Sequence, residues 1–220
     1  MAGILFIISA PSGSGKSTLV AQVRSLVAGL DFSVSYTTRA PRGSETDGRE
    51  YHFTTRETFR SMVENGEFLE WAEVFGNYYG TAFSALEHAR TAGKDLLLDI
   101  DVQGAMQVMQ RLPEAVPIFI VPPSREVLEI RLRNRSEAEH MTLEEVIERR
   151  LQEAGEEVKQ VWDYKYALVN DVLDQATAEM RAVVLSERGV GDGVTAVAEG
   201  CRTSARSPRL MAALKSFGVE

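Results

Sequence analysis

The chain has 220 residues, 44% hydrophobic and 25% charged, which suits one α/β domain with embedded segments or at most two small domains. A formal net charge of -8 excludes non-specific nucleic-acid binding, which needs an excess of Lys and Arg, but leaves room for a local cationic site for a mononucleotide. The single cysteine, Cys201, cannot form an internal disulfide, and no apolar run is long enough to span a membrane, so a cytoplasmic protein is expected.

Apolar and helical periods alternate along the chain, which predicts an α/β fold: a mostly parallel sheet with helices on both faces. A buried strand is expected over 4–8, then a glycine-rich loop and a helix over 17–28 closed by Gly29. A short strand follows over 32–35, then a loop over 37–48 without an apolar period, and a strand over 51–53. Thr54 or Thr55 caps a short helix ending at Asn65-Gly66, and alternation over 68–75 with a turn at Gly76-Asn77 reads as a hairpin.

Further on, a helix over 83–93 precedes the strand Leu96-Leu97-Leu98, which finishes in Asp99. A helix over 104–111, a strand over 118–121 stopped by Pro122-Pro123, and a helix capped by Ser124 come next. Thr142 and Glu145 form a capping box for a long charged helix reaching about residue 160. A last strand over 167–169 leads to a helix over 174–188, and the remaining tail shows only a short amphipathic piece over 210–217.

The strongest chemical signal is Ala10-Pro11-Ser12-Gly13-Ser14-Gly15-Lys16-Ser17-Thr18, set between a strand and a helix. The backbone N–H groups of such a loop converge on a triphosphate, and glycines let the backbone come close. Lys16 can reach the β- and γ-phosphates, and the Ser17 hydroxyl can bind Mg²⁺. Alanine stands at position 10 where the usual pattern has its first glycine. Asp99 supplies the acid that such folds place at a strand end for the metal. Arg39 and Arg42, with Tyr51 nearby, form a clamp suited to a phosphate monoester, since guanidinium groups offer paired donors.

With these motifs the sequence closely resembles guanylate kinases over residues 3–188. The resemblance rests on the phosphate loop, Ser35 through Arg42, Asp47-Gly48 to Phe53, Phe68-Leu69-Glu70 to Thr81, and Leu98-Asp99-Ile100-Asp101 with Gln103-Gly104. Arg131-Leu132 to Arg135 and Val169-Asn170-Asp171 complete it. It implies a P-loop core (1–36, 82–133 and 151–188), a small GMP-binding insertion (37–81), a helical lid (134–150) and a tail over 189–220, partly helical or flexible. The implied activity is Mg²⁺-assisted phosphoryl transfer from ATP to GMP, and to dGMP, giving GDP for nucleotide recycling.

The resemblance also implies residue roles. Glu70 would read the donor edge of guanine, with Ser35 and Thr81 bonding the base nearby. Arg39, Arg42, Tyr51 and Tyr79 would hold the GMP phosphate, and Asp101 would orient Arg39 and the nucleotide. Ser12, Gly13, Ser14, Gly15, Lys16, Ser17 and Thr18 would bind the ATP phosphates, with Asn170 and Asp171 by the adenine. Lys16, Arg42, Arg135 and Arg150 would be catalytic, and Ser17 and Asp99 would take the metal. The chain departs from the family at Arg42-Gly43-Ser44-Glu45, in a longer connection over 136–142, and at Lys165, where an acid is common. Phosphopeptide-binding relatives typically have a degraded phosphate loop, whereas Lys16 and Ser17 are intact here. A ribosyl-bisphosphate kinase would not need Ser35, Glu70 and Thr81 together. The sequence leaves monomer or homo-oligomer open.

Overall fold

The structure is a computed structural model that describes residues 3–74, 76–138 and 144–220. The first half of the chain runs β1 (Leu5–Ser9), α1 (Lys16–Leu26), β2 (Leu30–Phe32), β3 (Tyr36–Thr37), β4 (His52–Phe53), α2 (Arg56–Glu64), β5 (Phe68–Val74), β6 (Asn77–Ala82), α3 (Phe83–Thr91) and β7 (Asp95–Asp99). The second half runs α4 (Val102–Arg111), β8 (Val116–Val121), α5 (Arg125–Ala138), α6 (Glu144–Lys159), β9 (Tyr166–Val169), α7 (Leu173–Glu187), α8 (Val194–Gly200) and α9 (Pro208–Lys215). These form two compact units: Met1–Ile8 with Gly29–Val116, and Ser9–Ala28 with Pro117–Glu220.

In the first unit β7 pairs in parallel with both β1 and β2. All five residues of β1 are buried, as expected of a parallel strand covered on both faces. A second sheet has the order β4-β3-β6-β5, antiparallel except where β3 meets β4. Its own core is Phe59, Phe68 and Ala82, with Phe59 stacked on Phe68 at 4.5 Å. Thr55 caps α2 by accepting from the Thr58 N–H, and Gly66 follows in the left-handed conformation at φ 68°.

The second unit pairs β8 with β9 in parallel, and every residue of both strands is buried. Ser124 caps α5 through the Val127 N–H at 3.2 Å. Leu128 and Leu132 of α5 pack with Ile147, Leu151 and Ala154 of α6.

Several expectations are corrected. The strand expected over 32–35 ends at Phe32, because the chain changes sheets there: the Ser33 N–H still donates to Leu97, whereas the Ser35 carbonyl accepts from His52. The helix expected from Gly104 begins at Val102, with the Asp101 carboxylate capping the Gly104 N–H at 2.8 Å. The tail holds two helices where the sequence showed one amphipathic piece. Ser207 caps α9 by accepting from the Leu210 N–H, and Pro208 sits in the first turn, where no N–H is needed. Phe217 packs against the α5–α6 cluster. Cys201 is buried, and burial pushes its thiol up to about 12, so it is an inert group in the packing. Phe75 and Thr142, the residues expected to end a strand and to open a capping box, lie outside the described residues.

Candidate active site

The phosphate loop belongs to the second unit. Gly13 and Gly15 take φ of 89° and 84°, a conformation that L side chains rarely adopt. A Cβ on Gly13 would meet Leu128 and Leu132 at 3.0 and 3.1 Å, and one on Gly15 would meet the Asn170 amide nitrogen at 2.6 Å. Helix α1 starts directly at Lys16 with no side-chain cap hydrogen bond, and a helix N-terminus of this kind favours an anion. Lys16 is half-buried, while Ser12, Ser17 and Thr18 are exposed.

Two side chains hold the loop from behind. The Asn170 amide donates to the Ser14 carbonyl at 2.8 Å, and Arg131 donates to the same carbonyl at 3.1 Å and to the Asn170 carbonyl at 3.1 Å. Sequence reasoning gave Arg131 no role. Its signal lay in the arginines at 131 and 133, which two residues apart lie on different faces of one helix. Arg133 turns instead to Glu129 and Glu144. Asp171, expected beside the adenine, is bound by Arg209 from the tail.

The residues expected to read the base lie in the first unit. Glu70 is 3% exposed, beside Ser35 and Thr81, whose hydroxyls lie 3.4 Å apart. Burial pushes its carboxyl up to about 7, aided by the charge of Asp101, against hydrogen bonds from the Thr81 side chain and backbone. Strand β5 is held by α4: Gln107 brackets the Trp71 backbone, donating at 2.7 Å and accepting at 3.3 Å, and Arg111 donates to the Phe68 and Leu69 carbonyls. Gly104 lies under the carboxylate, where an added Cβ would stand 2.4 Å from Glu70 Oε2 and 3.0 Å from its Cδ.

Gly104→Ala is therefore expected to push Glu70 out of place, since a carboxylate buried on every side cannot swing clear. KM for GMP should rise about 10- to 100-fold, on the scale of an ångström-sized misplacement, with KM for ATP nearly unchanged. Steady-state kinetics with each substrate varied in turn, alongside a melting curve, check this.

The residues expected to hold the monoester phosphate lie in the same unit. Arg39 makes a two-pronged pair with Glu45 at 2.9 and 3.0 Å, hydrogen-bonds Tyr79, and lies over the Tyr51 ring at 5.3 Å. Glu45 also accepts from the Arg42 N–H at 2.8 Å, which ties down the departing segment Arg42-Gly43-Ser44-Glu45. Hydrogen bonds from Arg39 hold the Glu45 carboxyl below its ordinary range. The tyrosine rings meet edge to face at 5.8 Å, and burial, then the charge of Asp99, raises the Tyr51 hydroxyl pKa. The structure thus brings together Arg39, Tyr51 and Tyr79, while the Arg42 side chain is exposed. Asp101, expected to orient Arg39, accepts from the Gly104 N–H and from the Gln103 amide.

Asp99 is half-buried at the end of β7. On α6, Arg150 is half-buried, whereas Arg149 is exposed and 3.8 Å from Glu153. Arg135 falls within α5, but its side chain lies outside the described residues.

A guanylate kinase family model matches residues 3–187. A guanylate kinase of Koribacter versatilis is 58% identical over 188 residues, covering 86% of this chain and 80% of that protein. One from a Shewanella species is 48% identical over 190 residues, covering 86% of this chain and 90% of its own length. The crystal structure of a guanylate kinase from Anaplasma phagocytophilum superposes with a TM-score of 0.68 at 34% identity, covering 84% of this chain and 86% of that one. The phosphate loop, the buried acid and the arginine–tyrosine clamp thus occur in a chain that belongs to the guanylate kinase family.

Proposed function

We infer that this enzyme phosphorylates GMP, and dGMP, with ATP to give GDP, supplying precursors of GTP. The observation that carries the reading is Glu70: a carboxylate buried to 3% beside two hydroxyls, in a unit that also holds a tyrosine-lined arginine. Guanine offers N1–H and an exocyclic amine on one edge, a match for one carboxylate. Adenine lacks that edge and would leave Glu70 buried and unpaired.

In the proposed reaction, a GMP phosphate oxygen attacks the γ-phosphorus of ATP in line. The bond from that phosphorus to the β,γ-bridging oxygen breaks, and ADP leaves. The phosphate-loop N–H groups and Lys16 hold the ATP phosphates. Arg39, Tyr51 and Tyr79 orient the acceptor, with Arg42 from the same loop. Binding GMP phosphate requires Arg39 to exchange Glu45 for the ligand. The Ser17 hydroxyl and the Asp99 carboxylate are hard oxygen donors of the kind Mg²⁺ prefers, and the ion would neutralise charge on the β- and γ-oxygens. Positioning and charge neutralisation dominate, so no protein nucleophile is assigned. Closure of the segment 37–81 and the lid 134–150 onto the core (1–36, 82–133 and 151–188) would exclude water, which otherwise competes as acceptor.

Arg135 and Arg150 are assigned to the transferring phosphoryl group. Arg150 is favoured over Arg149 because Arg149 is the one turned out toward Glu153. Arg150→Ala should lower kcat about 10²-fold with little change in KM for GMP, while Arg149→Ala stays within about twofold, as for an exposed helical ion pair. Kinetics of the two single variants decide between them, and a reversed pattern would move the role to Arg149.

A cytoplasmic location fits the substrates and the single unpaired Cys201, and among the described residues no helix is long and apolar enough to cross a membrane. The function is tested by incubating purified protein with ATP and GMP and separating the products. ADP and GDP should form in equal amounts, with neither appearing when GMP is omitted. ADP without GDP would make the protein an ATPase.

A further inference from the structure

Helix α9 lies beyond the family match, which ends at residue 187, yet it touches both elements that grip the phosphate loop. On one side, Arg209 brackets Asn170. It donates to the carbonyl of Val169, the residue before, and pairs with the carboxylate of Asp171, the residue after. On the other side, Ser216 Oγ, just past the helix end, accepts from the Arg125 N–H at 3.0 Å in the first turn of α5. Phe217 then packs against the cluster containing Leu128 and Leu132. Helix α5 carries Arg131, so both donors to the Ser14 carbonyl stand on elements held by this tail.

We propose that α9 braces the phosphate loop, with Arg209 as a positioning residue that fixes Asn170 against the Ser14 carbonyl. The inference rests on the assignment of that loop to ATP. The chemical logic is that a carbonyl turned toward a triphosphate would repel it. Two donors engaging the Ser14 oxygen keep it from facing the phosphates and leave the loop N–H groups to do so. Arg209 suits the task because its planar fork serves Asp171, Glu179 and the Val169 carbonyl at once, which a lysine ammonium cannot reproduce. The helix itself is anchored by buried Leu210 and Leu214, so the fork stands on packed structure.

The test is Arg209→Met, which keeps the stem and removes the fork. ATP affinity is measured by calorimetry without GMP, and KM is measured for each substrate. Kd and KM for ATP should rise about 5- to 10-fold, with KM for GMP within about twofold and Arg209→Lys recovering only part of the loss. Unchanged ATP affinity in Arg209→Met, or equal weakening of ATP and GMP, would overturn the brace. If Arg209→Met does not fold, Arg209→Lys and Ser216→Ala carry the test, each expected to weaken ATP about 2- to 3-fold and leave GMP alone. ATP binding to Lys16→Ala serves as the control. A normal affinity there would mean that the loop itself is misassigned, which is a separate failure from that of the brace.

Discussion

Glu70→Gln is expected to lower kcat/KM for GMP by about 10³-fold and, at pH 8, to raise the melting temperature. The catalytic loss follows from hydrogen-bond count. The carboxylate accepts two bonds from guanine, each charge-assisted and each worth roughly 1.5–3 kcal/mol in a buried site. Glutamine keeps one acceptor and turns a donor toward a donor. The stability gain follows from burial, which raises the Glu70 pKa from 4.5 to about 7. In the folded protein the proton is held more tightly than in the unfolded chain. This stabilisation is fully present below pH 4.5 and is lost as pH rises through 7, by ~3 kcal/mol for an isolated group. Glutamine carries no charge at any pH, so the variant escapes the loss and should melt a few degrees higher at pH 8 but not at pH 4. The same titration predicts that kcat/KM for GMP falls as pH drops below about 7, because protonated Glu70 offers a donor to guanine. Melting curves at the two pH values and a pH profile check both halves. A kcat/KM for GMP that is unchanged in folded Glu70→Gln would remove this residue from the base pocket.

Lys16→Ala should lower kcat by about 10³-fold or more while leaving GMP binding measurable by calorimetry at near-native affinity. The lysine follows two left-handed glycines at the start of α1, and the residues that would hold GMP belong to the other compact unit. Its charge should matter most as negative charge shifts onto the bridging oxygen, so the loss belongs to kcat more than to GMP affinity. Loss of GMP binding in a variant with a normal melting curve would mean that the two subsites are not separable in this way.

How much of this was legible in the sequence depended on how far each signal reached along the chain. The phosphate loop is a local pattern, and it folds with the strand before it and the helix after it as its spacing implies. The capping of α2 by Thr55 and of α5 by Ser124 is equally local. Glu70 was found through family resemblance, but the reason for its unusual proton affinity was not. That follows first from burial, with the charge of Asp101 adding to it, and Asp101 belongs to a different element. A buried glycine gives no sequence signal of the side chain it makes room for. Asp101 was read as a ligand-orienting acid, and its capping of α4 through the Gly104 N–H was not read from the sequence. Arg131 was hidden beside Arg133, and only the packing of α5 distinguishes their partners. The tail was read in part. The amphipathic piece over 210–217 corresponds to α9, whereas the short α8 carries too little hydrophobic period to stand out.

The central claim, phosphoryl transfer from ATP to a guanine mononucleotide chosen by a buried carboxylate, is tested most directly by ADP-release rates with GMP, AMP, CMP and UMP at saturating ATP. The account predicts a kcat/KM for GMP at least about 10³-fold above each of the others, the scale on which a site built to hydrogen-bond one base rejects those lacking its donors. Comparable turnover of AMP or of either pyrimidine nucleotide would contradict it.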